Sequence, residues 1–120
     1  MLNRKEVHNS ETLNIQIDSH DQKSYLIELC KDCTKFDLNV ECLENSFSKF
    51  FILNHAESAC ELNINMVLKQ DANCQMGVLD LEKSPLKWNH YVDLKEQGAE
   101  YEILSGQLCQ EHIEKYVIWK

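Results

Sequence analysis

Short segments in which apolar and polar residues alternate recur along the chain, and they constrain its fold more than any other feature. The clearest covers residues 60–68, where every second residue is apolar: Cys60, Leu62, Ile64, Met66 and Leu68. Residues 36–42 show the same alternation, and residues 48–53 are more continuously apolar, as in a strand covered on both faces. Alternation with a period of two places one set of side chains on the buried face of a β-strand. The sequence therefore predicts an all-β fold.

Six further segments show a weaker form of this pattern, at residues 12–18, 25–30, 77–81, 91–94, 100–104 and 116–119. Eight or nine short strands with few helical signals are typical of an antiparallel sandwich or a small barrel. The chain has only 3 Gly and 1 Pro, so we expect asparagines to occupy many turns, because asparagine tolerates left-handed backbone angles. We recognise no internal repeat. We expect a single domain over residues 12–120, preceded by a flexible polar arm over residues 1–11.

Five segments follow one another in the second half of the chain: Phe51-Ile52-Leu53, Leu62-Asn63-Ile64-Asn65-Met66, Gly77-Val78-Leu79-Asp80-Leu81, the Trp-containing residues 88–94, and Gly106-Gln107-Leu108. Their order resembles the C-terminal half of a C2 domain. Residues 21–27 are similar to an earlier segment of that family, although the family's proline is missing. The resemblance covers residues 12–119. It implies an eight-stranded antiparallel β-sandwich that docks to membranes or proteins and catalyses no reaction.

The calcium sites of C2 domains lie in loops at one end of the sandwich, and the resemblance places Asp18, Asp21 and Asp71 there. Ca²⁺ takes 6–8 oxygen ligands, mostly from carboxylates. Three aspartates, with Lys69 in the same loop as Asp71, make a poor cage. We interpret them as solvated turn residues and predict no bound metal and no cofactor.

Some C2 domains hold phosphoinositides on a lysine-rich strand, and the candidates here are Lys31, Lys35 and Lys49. Acidic residues are interleaved with them, and no cluster of 4–8 basic residues exists, which is the density that anionic lipids require. We therefore expect a solvated surface of mixed charge at these lysines.

The net charge of −8 argues against nucleic-acid binding, because phosphates would be repelled. It also disfavours anionic membranes and leaves basic protein surfaces as natural partners. The segment at residues 116–119 suits an exposed edge strand, which can accept a strand from a partner. The residues that we expect to contact such a partner are Tyr116, Ile118 and Trp119.

Six cysteines in 120 residues raise the possibility of a disulfide framework. Cys42 and Cys60 are in register with apolar neighbours, as expected of buried thiols. The first residues contain no apolar stretch, so we expect no signal peptide and a reduced, cytoplasmic protein. Cys30-Lys31-Asp32-Cys33 lacks the second ligand pair of a zinc site, and we interpret it as a turn between two strands. No sequence motif of an enzyme is present.

The sequence therefore predicts a non-catalytic, C2-like adaptor that docks to a protein partner without calcium. One alternative is phosphoinositide-dependent docking at a membrane, by a C2 domain or a pleckstrin-homology-like barrel; such a protein would be peripheral at the membrane. Another alternative is a secreted effector held together by disulfides.

Overall fold

A computed structural model describes the backbone of residues 2–80, 86–107 and 113–119 and the side chains of residues 2–80 and 86–103. These residues form ten β-strands and no helix. The strands are β1 (Leu2–Val7), β2 (Ser10–Ile17), β3 (Gln22–Leu29), β4 (Lys35–Cys42), β5 (Phe47–Asn54), β6 (Cys60–Leu68), β7 (Asn73–Asp80), β8 (Leu86–Leu94), β9 (Glu100–Gln107) and β10 (Ile113–Trp119). The all-β prediction is confirmed.

The strands alternate between two five-stranded sheets. The odd sheet has the order β1-β3-β5-β7-β9, and the even sheet has the order β10-β8-β6-β4-β2. Neighbouring strands in both sheets are parallel. One odd strand, a corner, one even strand and a second corner make up one coil, and successive coils stack. The fold is a parallel β-solenoid.

The register between coils shows the repeat directly. Asn14 lies beside Asn39, which lies beside Asn65, so these coils repeat after 25 and 26 residues. Phe47 lies beside Asn73, and Asn73 beside Glu100, which gives steps of 26 and 27 residues. The expectation that the chain has no internal repeat is therefore wrong. The repeat concerns hydrophobic pattern and corner position more than residue identity.

The core lies between the two sheets and is built from columns of apolar side chains. Inward residues of the even sheet include Phe36, Leu62 and Trp88, which occupy the same position in successive coils and are fully buried. In the odd sheet the rings of Tyr25 and Phe50 stack with centroids 5.0 Å apart. Burial of apolar surface contributes about 25 cal/mol per Å², and the stacked columns bury it continuously from coil to coil.

The antiparallel, eight-stranded, C2-like sandwich predicted from the sequence is wrong. Short turns between strands normally indicate antiparallel neighbours, because parallel neighbours in one sheet need a long crossover. Here each short corner leads to the opposite sheet, and the parallel neighbour follows one full coil later. The intervening strand and its two corners are the crossover.

Residues 2–7, which the sequence suggested were part of a flexible arm, form β1 instead. This strand pairs with β3 along its length, from Leu2 beside Ser24 to Val7 beside Leu29. Val7 is fully buried. The first coil is therefore part of the stack.

One series of corners has a left-handed residue at each step. His20, Asn45, Asp71 and Gly98 have φ angles of 64°, 61°, 58° and 81°. The corners are joined by backbone hydrogen bonds, in which His20 N donates to Glu44 O at 3.2 Å and Asn45 N donates to Gln70 O at 3.0 Å. A left-handed residue turns the chain sharply enough to pass from one sheet to the other.

Candidate docking surface

The two sheets present outer faces of different chemistry. The outer face of the even sheet carries polar side chains that bond to one another between coils. Asn39 donates to Asn14 at 3.0 Å, and Asn65 donates to Asn39 at 3.1 Å. A second ladder lies beside it, in which Asn63 donates to Asp37 and Asn89 donates to Asn63, both at 2.7 Å. The side-chain amides of this face are largely engaged within the protein.

The outer face of the odd sheet carries an apolar patch instead. It consists of outward residues of three adjacent strands, Leu26 on β3, Phe51 and Leu53 on β5, and Leu79 on β7. Leu26 lies beside Phe51, and Leu53 beside Leu79, in the strand register. We call these four residues the outer apolar patch.

Phe51 is the most exposed member of the patch. Its relative exposure is 48%, whereas its neighbours Phe50 and Ile52, which point inward, are fully buried. The nearly continuous apolar run of residues 48–53 suggested a strand covered on both faces. The structure covers one face and leaves the other open among the described residues. The three leucines of the patch are half-buried. An exposed aromatic side chain grouped with further apolar residues on one open face is typical of an interaction site.

Charged residues border the outer apolar patch. Glu28 is adjacent to Leu53 in the register and forms an ion pair with Arg4 at 3.4 Å. A carboxylate oxygen of Glu28 also lies 3.6 Å from His55 Nε2. On the other side, the Lys49 ammonium lies 5.6 Å from the centre of the Phe47 ring. The border thus has mixed charge within a chain whose net charge is −8.

The three candidate lipid-binding lysines do not converge. Lys31 lies in the corner between β3 and β4 and pairs with Glu57 at 3.6 Å. Lys35 begins β4 in the even sheet, and Lys49 is on β5 in the odd sheet. Both alternate with inward residues of their strands, so they point outward from opposite sheets. Lys35 and Lys49 therefore lie on opposite faces of the molecule.

The three aspartates considered for calcium lie on one side of the molecule but in different coils. Asp18 and Asp21 are in the corner between β2 and β3, and Asp71 is in the corner between β6 and β7. The corner of residues 43–46 is stacked between them. Asp18 accepts a hydrogen bond from Gln16, and Asp21 accepts one from the backbone of Gln22. The structure does not bring the three carboxylates together.

β10, which contains Tyr116, Ile118 and Trp119, occupies one end of the even sheet and pairs with β8. Its place at the end of the strand order agrees with an edge strand. The side chains of these three residues lie outside the described residues.

A polar network that the sequence did not reveal lies in the core. Trp88 Nε1 donates to His90 Nδ1 at 3.1 Å, and the Tyr101 hydroxyl contacts His90 Nε2. Because an indole nitrogen can only donate, His90 Nδ1 carries no proton, and a neutral ring donates from Nε2 to Tyr101. Burial raises the pKa of Tyr101. His90 occupies the position after Ile64 in a column of inward residues. Knowledge of the coil repeat would therefore have shown that His90 faces the core.

Cys30, Cys33, Cys42, Cys60 and Cys74 are free thiols. All except Cys30 are buried, as the alternation predicted for Cys42 and Cys60. Cys33 and Cys60 lie with sulfur atoms 3.7 Å apart, and their hydrogen bond, together with burial, raises the pKa of Cys60. Cys30 and Cys33 stand in the corner between β3 and β4, where the sequence predicted a turn.

No family model, curated protein or solved structure was found to match the chain. The resemblance to C2 domains gains no support from these comparisons, and the parallel topology contradicts it. No described residue belongs to a helix that could cross a membrane.

Proposed function

We propose that this β-solenoid is a non-catalytic binding module that docks to a protein partner through the outer apolar patch. The observation that carries the proposal is the 48% exposure of Phe51 on the outer face of the odd sheet. Parallel strands normally have both faces covered, and a partner that covered this face would complete the arrangement.

The asparagine ladders support the choice of face. Their amides already bond to neighbouring coils, so binding there would exchange existing hydrogen bonds for new ones. Covering the outer apolar patch instead removes apolar surface from water, which is favourable without any loss of hydrogen bonds. The odd sheet is therefore the better docking face.

The partner that fits this surface is a protein with an apolar patch bordered by side chains of both charges, on a surface whose net charge is positive. The chain's charge of −8 favours an oppositely charged surface and faster association with it. The free thiols suit a reducing compartment, and we propose the cytoplasm as its location. The separation of Lys35 and Lys49 on opposite sheets counts against the alternative of phosphoinositide-dependent docking.

Site-specific photo-crosslinking would find the partner. A photoreactive phenylalanine analogue at position 51 should capture a protein from cell extract, whereas the same analogue at position 39, on the opposite face, should not. The captured protein would then be purified, and its affinity for the wild type measured by calorimetry.

Phe51→Ser should weaken that affinity by about 30-fold or more, as expected for a central aromatic contact worth about 2 kcal/mol. Asn39→Ser is the matched control and should leave affinity unchanged. Equal losses in the two variants, an unaffected Phe51→Ser variant, or capture solely of a second copy of this chain would refute the proposal.

A further inference from the structure

Two corners at the start of the solenoid are stacked and hydrogen-bonded. The corner of residues 8–9 joins β1 to β2, and the corner of residues 30–34 joins β3 to β4. Cys30 N donates to Val7 O at 3.0 Å, and Thr34 N donates to Asn9 O at 2.7 Å. Side chains near the two corners are therefore held close together, although they are about 25 residues apart in sequence.

Three different metal-binding groups meet at these corners. They are the carboxylate of Glu6, the imidazole of His8 and the thiol of Cys30, whose ligand atoms all lie within 4.8 Å of one another. The His8 Nε2 atom is 3.6 Å from a carboxylate oxygen of Glu6. Glu6 and His8 are exposed and Cys30 is half-buried, so the group is accessible from solvent.

Asp32 fixes the orientation of the His8 ring. Its Oδ1 atom lies 3.0 Å from His8 Nδ1, and an ionised carboxylate can only accept, so Nδ1 carries the proton. A neutral ring then has its lone pair on Nε2, the atom that lies 3.6 Å from the Glu6 carboxylate. Histidines that ligate metals almost always donate their second N–H in this way to a carboxylate or a carbonyl.

We propose that Glu6, His8 and Cys30 bind a divalent cation of the zinc type, with Asp32 as the positioning residue. Zn²⁺ accepts sulfur, nitrogen and oxygen ligands together, at about 2.0–2.3 Å, and prefers a tetrahedron. Three protein ligands leave the fourth position to water. Calcium and magnesium are excluded by this donor set, since they prefer oxygen ligands alone. Cys30 binds as a thiolate and releases its proton to solvent.

The bound cation would link the first coil to the second. Glu6 and His8 belong to β1 and its corner, and Cys30 follows β3. The first coil has a neighbouring coil on one side only among the described strands. Since a ligand that binds only the folded state stabilises it, the cation would hold this coil in place. This role is independent of docking through the outer apolar patch.

Cobalt is a suitable probe because tetrahedral Co²⁺ absorbs visible light and gives a thiolate charge-transfer band in the near ultraviolet. We expect the wild-type protein, reduced and free of metal, to develop both bands at one equivalent of Co²⁺, and Zn²⁺ to displace the cobalt. Cys30→Ser should abolish the thiolate band, while the other cysteines remain. His8→Ala should abolish or severely weaken binding.

Two further variants test the assigned roles. Asp32→Asn should weaken affinity by about 10–100-fold with the thiolate band retained, as expected for a residue that positions a ligand. His20→Ala, at an exposed histidine in another corner, is the matched control and should bind as the wild type does. Far-ultraviolet circular dichroism of each metal-free variant checks its fold.

Absence of a thiolate band in the wild type would overturn the proposal. So would a band that persists in Cys30→Ser, or equal loss of affinity in His20→Ala and His8→Ala. In these cases His8 would be only a hydrogen-bond partner of Asp32, and this hydrogen bond raises the pKa of His8.

Discussion

Gly98 is the last of the left-handed residues along one series of corners. A Cβ atom at this position would lie 1.9 Å from Asp71 Oδ1, in the corner of the preceding coil. Its φ of 81° is also unfavourable for any residue with a side chain. Two separate physical reasons therefore favour glycine here.

Gly98→Ala should lower the free energy of unfolding by about 1–2 kcal/mol from backbone strain alone. Displacement of the Asp71 side chain should add to this loss. Urea denaturation of Gly98→Ala, Asp71→Gly and the double variant would separate the two effects, because the interaction term of the cycle reports the clash. A Gly98→Ala protein with an unchanged denaturation midpoint would contradict this account.

Asparagine chemistry was only partly predictable from the sequence. Asn9 and Asn45 have φ angles of 54° and 61°, which confirms the expected role in turns. Asn39 and Asn63 instead lie within strands and bond to the neighbouring coils. A ladder partner lies 25 or 26 residues away, and no local pattern of residues indicates it. Only comparison of the chain with itself at that spacing would have shown both ladders.

At the scale of the strands, alternation predicted which residues face the core but could not identify the neighbours of each strand. Parallel and antiparallel strands alternate with the same period of two. β6 was predicted at residues 60–68, as observed, yet its neighbours are β4 and β8 and not the adjacent β5 or β7. Strand position is a local property, whereas strand pairing depends on the direction that each corner takes.

The outer apolar patch illustrates a related limit. Phe51 and Leu53 stand in an apolar run, and the sequence suggested cover on both faces. Their outward direction follows from the burial of Phe50 and Ile52. That contrast appears only once the register across β3, β5 and β7 is known, so the candidate surface could not be predicted from one strand.

The first coil places charges at positions that are apolar in the second. Lys5 lies beside Ile27, and Glu11 lies beside Phe36. Ile27 and Phe36 are fully buried. The Lys5 ammonium lies 3.0 Å from the Glu11 carboxylate. The backbone N–H of His8 also donates to Glu11 and lowers its pKa. Inward-pointing charges at the end of a sheet oppose the addition of strands from another molecule.

Lys5→Ile with Glu11→Phe replaces the charged pair by the residues found at the same positions of the second coil. This should make the end of the stack apolar, so that another molecule can pack against it. We expect concentration-dependent self-association with little loss of stability, since apolar replacement of an ion pair is often neutral or stabilising. Sedimentation velocity at several protein concentrations would measure the self-association. Lys35→Ile with Glu41→Phe makes the same replacements on the outer face of the even sheet and should assemble less. A first-coil variant no more associated than this control would count against the capping role.

At the scale of the whole molecule, the residues that hold the coils together are separate from the outer apolar patch. The core between the sheets and the ladders connect each coil to its neighbours. The outer apolar patch projects from the odd sheet without contributing inward residues. Such a stack is quasi-one-dimensional, because each coil contacts mainly the coils on either side.

This architecture predicts that one complete coil can be removed. Asn73 N donates to Ser46 O at 2.9 Å, so these residues are already adjacent, and deletion of residues 47–72 would join Ser46 to Asn73 with little movement. β4 would then meet β8, and β3 would meet β7, with inward faces preserved. We expect a folded protein that unfolds cooperatively, with a lower midpoint and a urea m-value reduced by roughly a fifth, because m scales with the surface exposed.

Deletion of residues 47–59 is the informative comparison. It removes β5 and one corner, which is half a coil, and would force β6 into the odd sheet and reverse the sheet assignment of every later strand. That variant should be unfolded or aggregated, although it loses fewer residues. If the half-coil deletion were as well folded as the full-coil deletion, the alternation of strands between two sheets would not be what determines this fold.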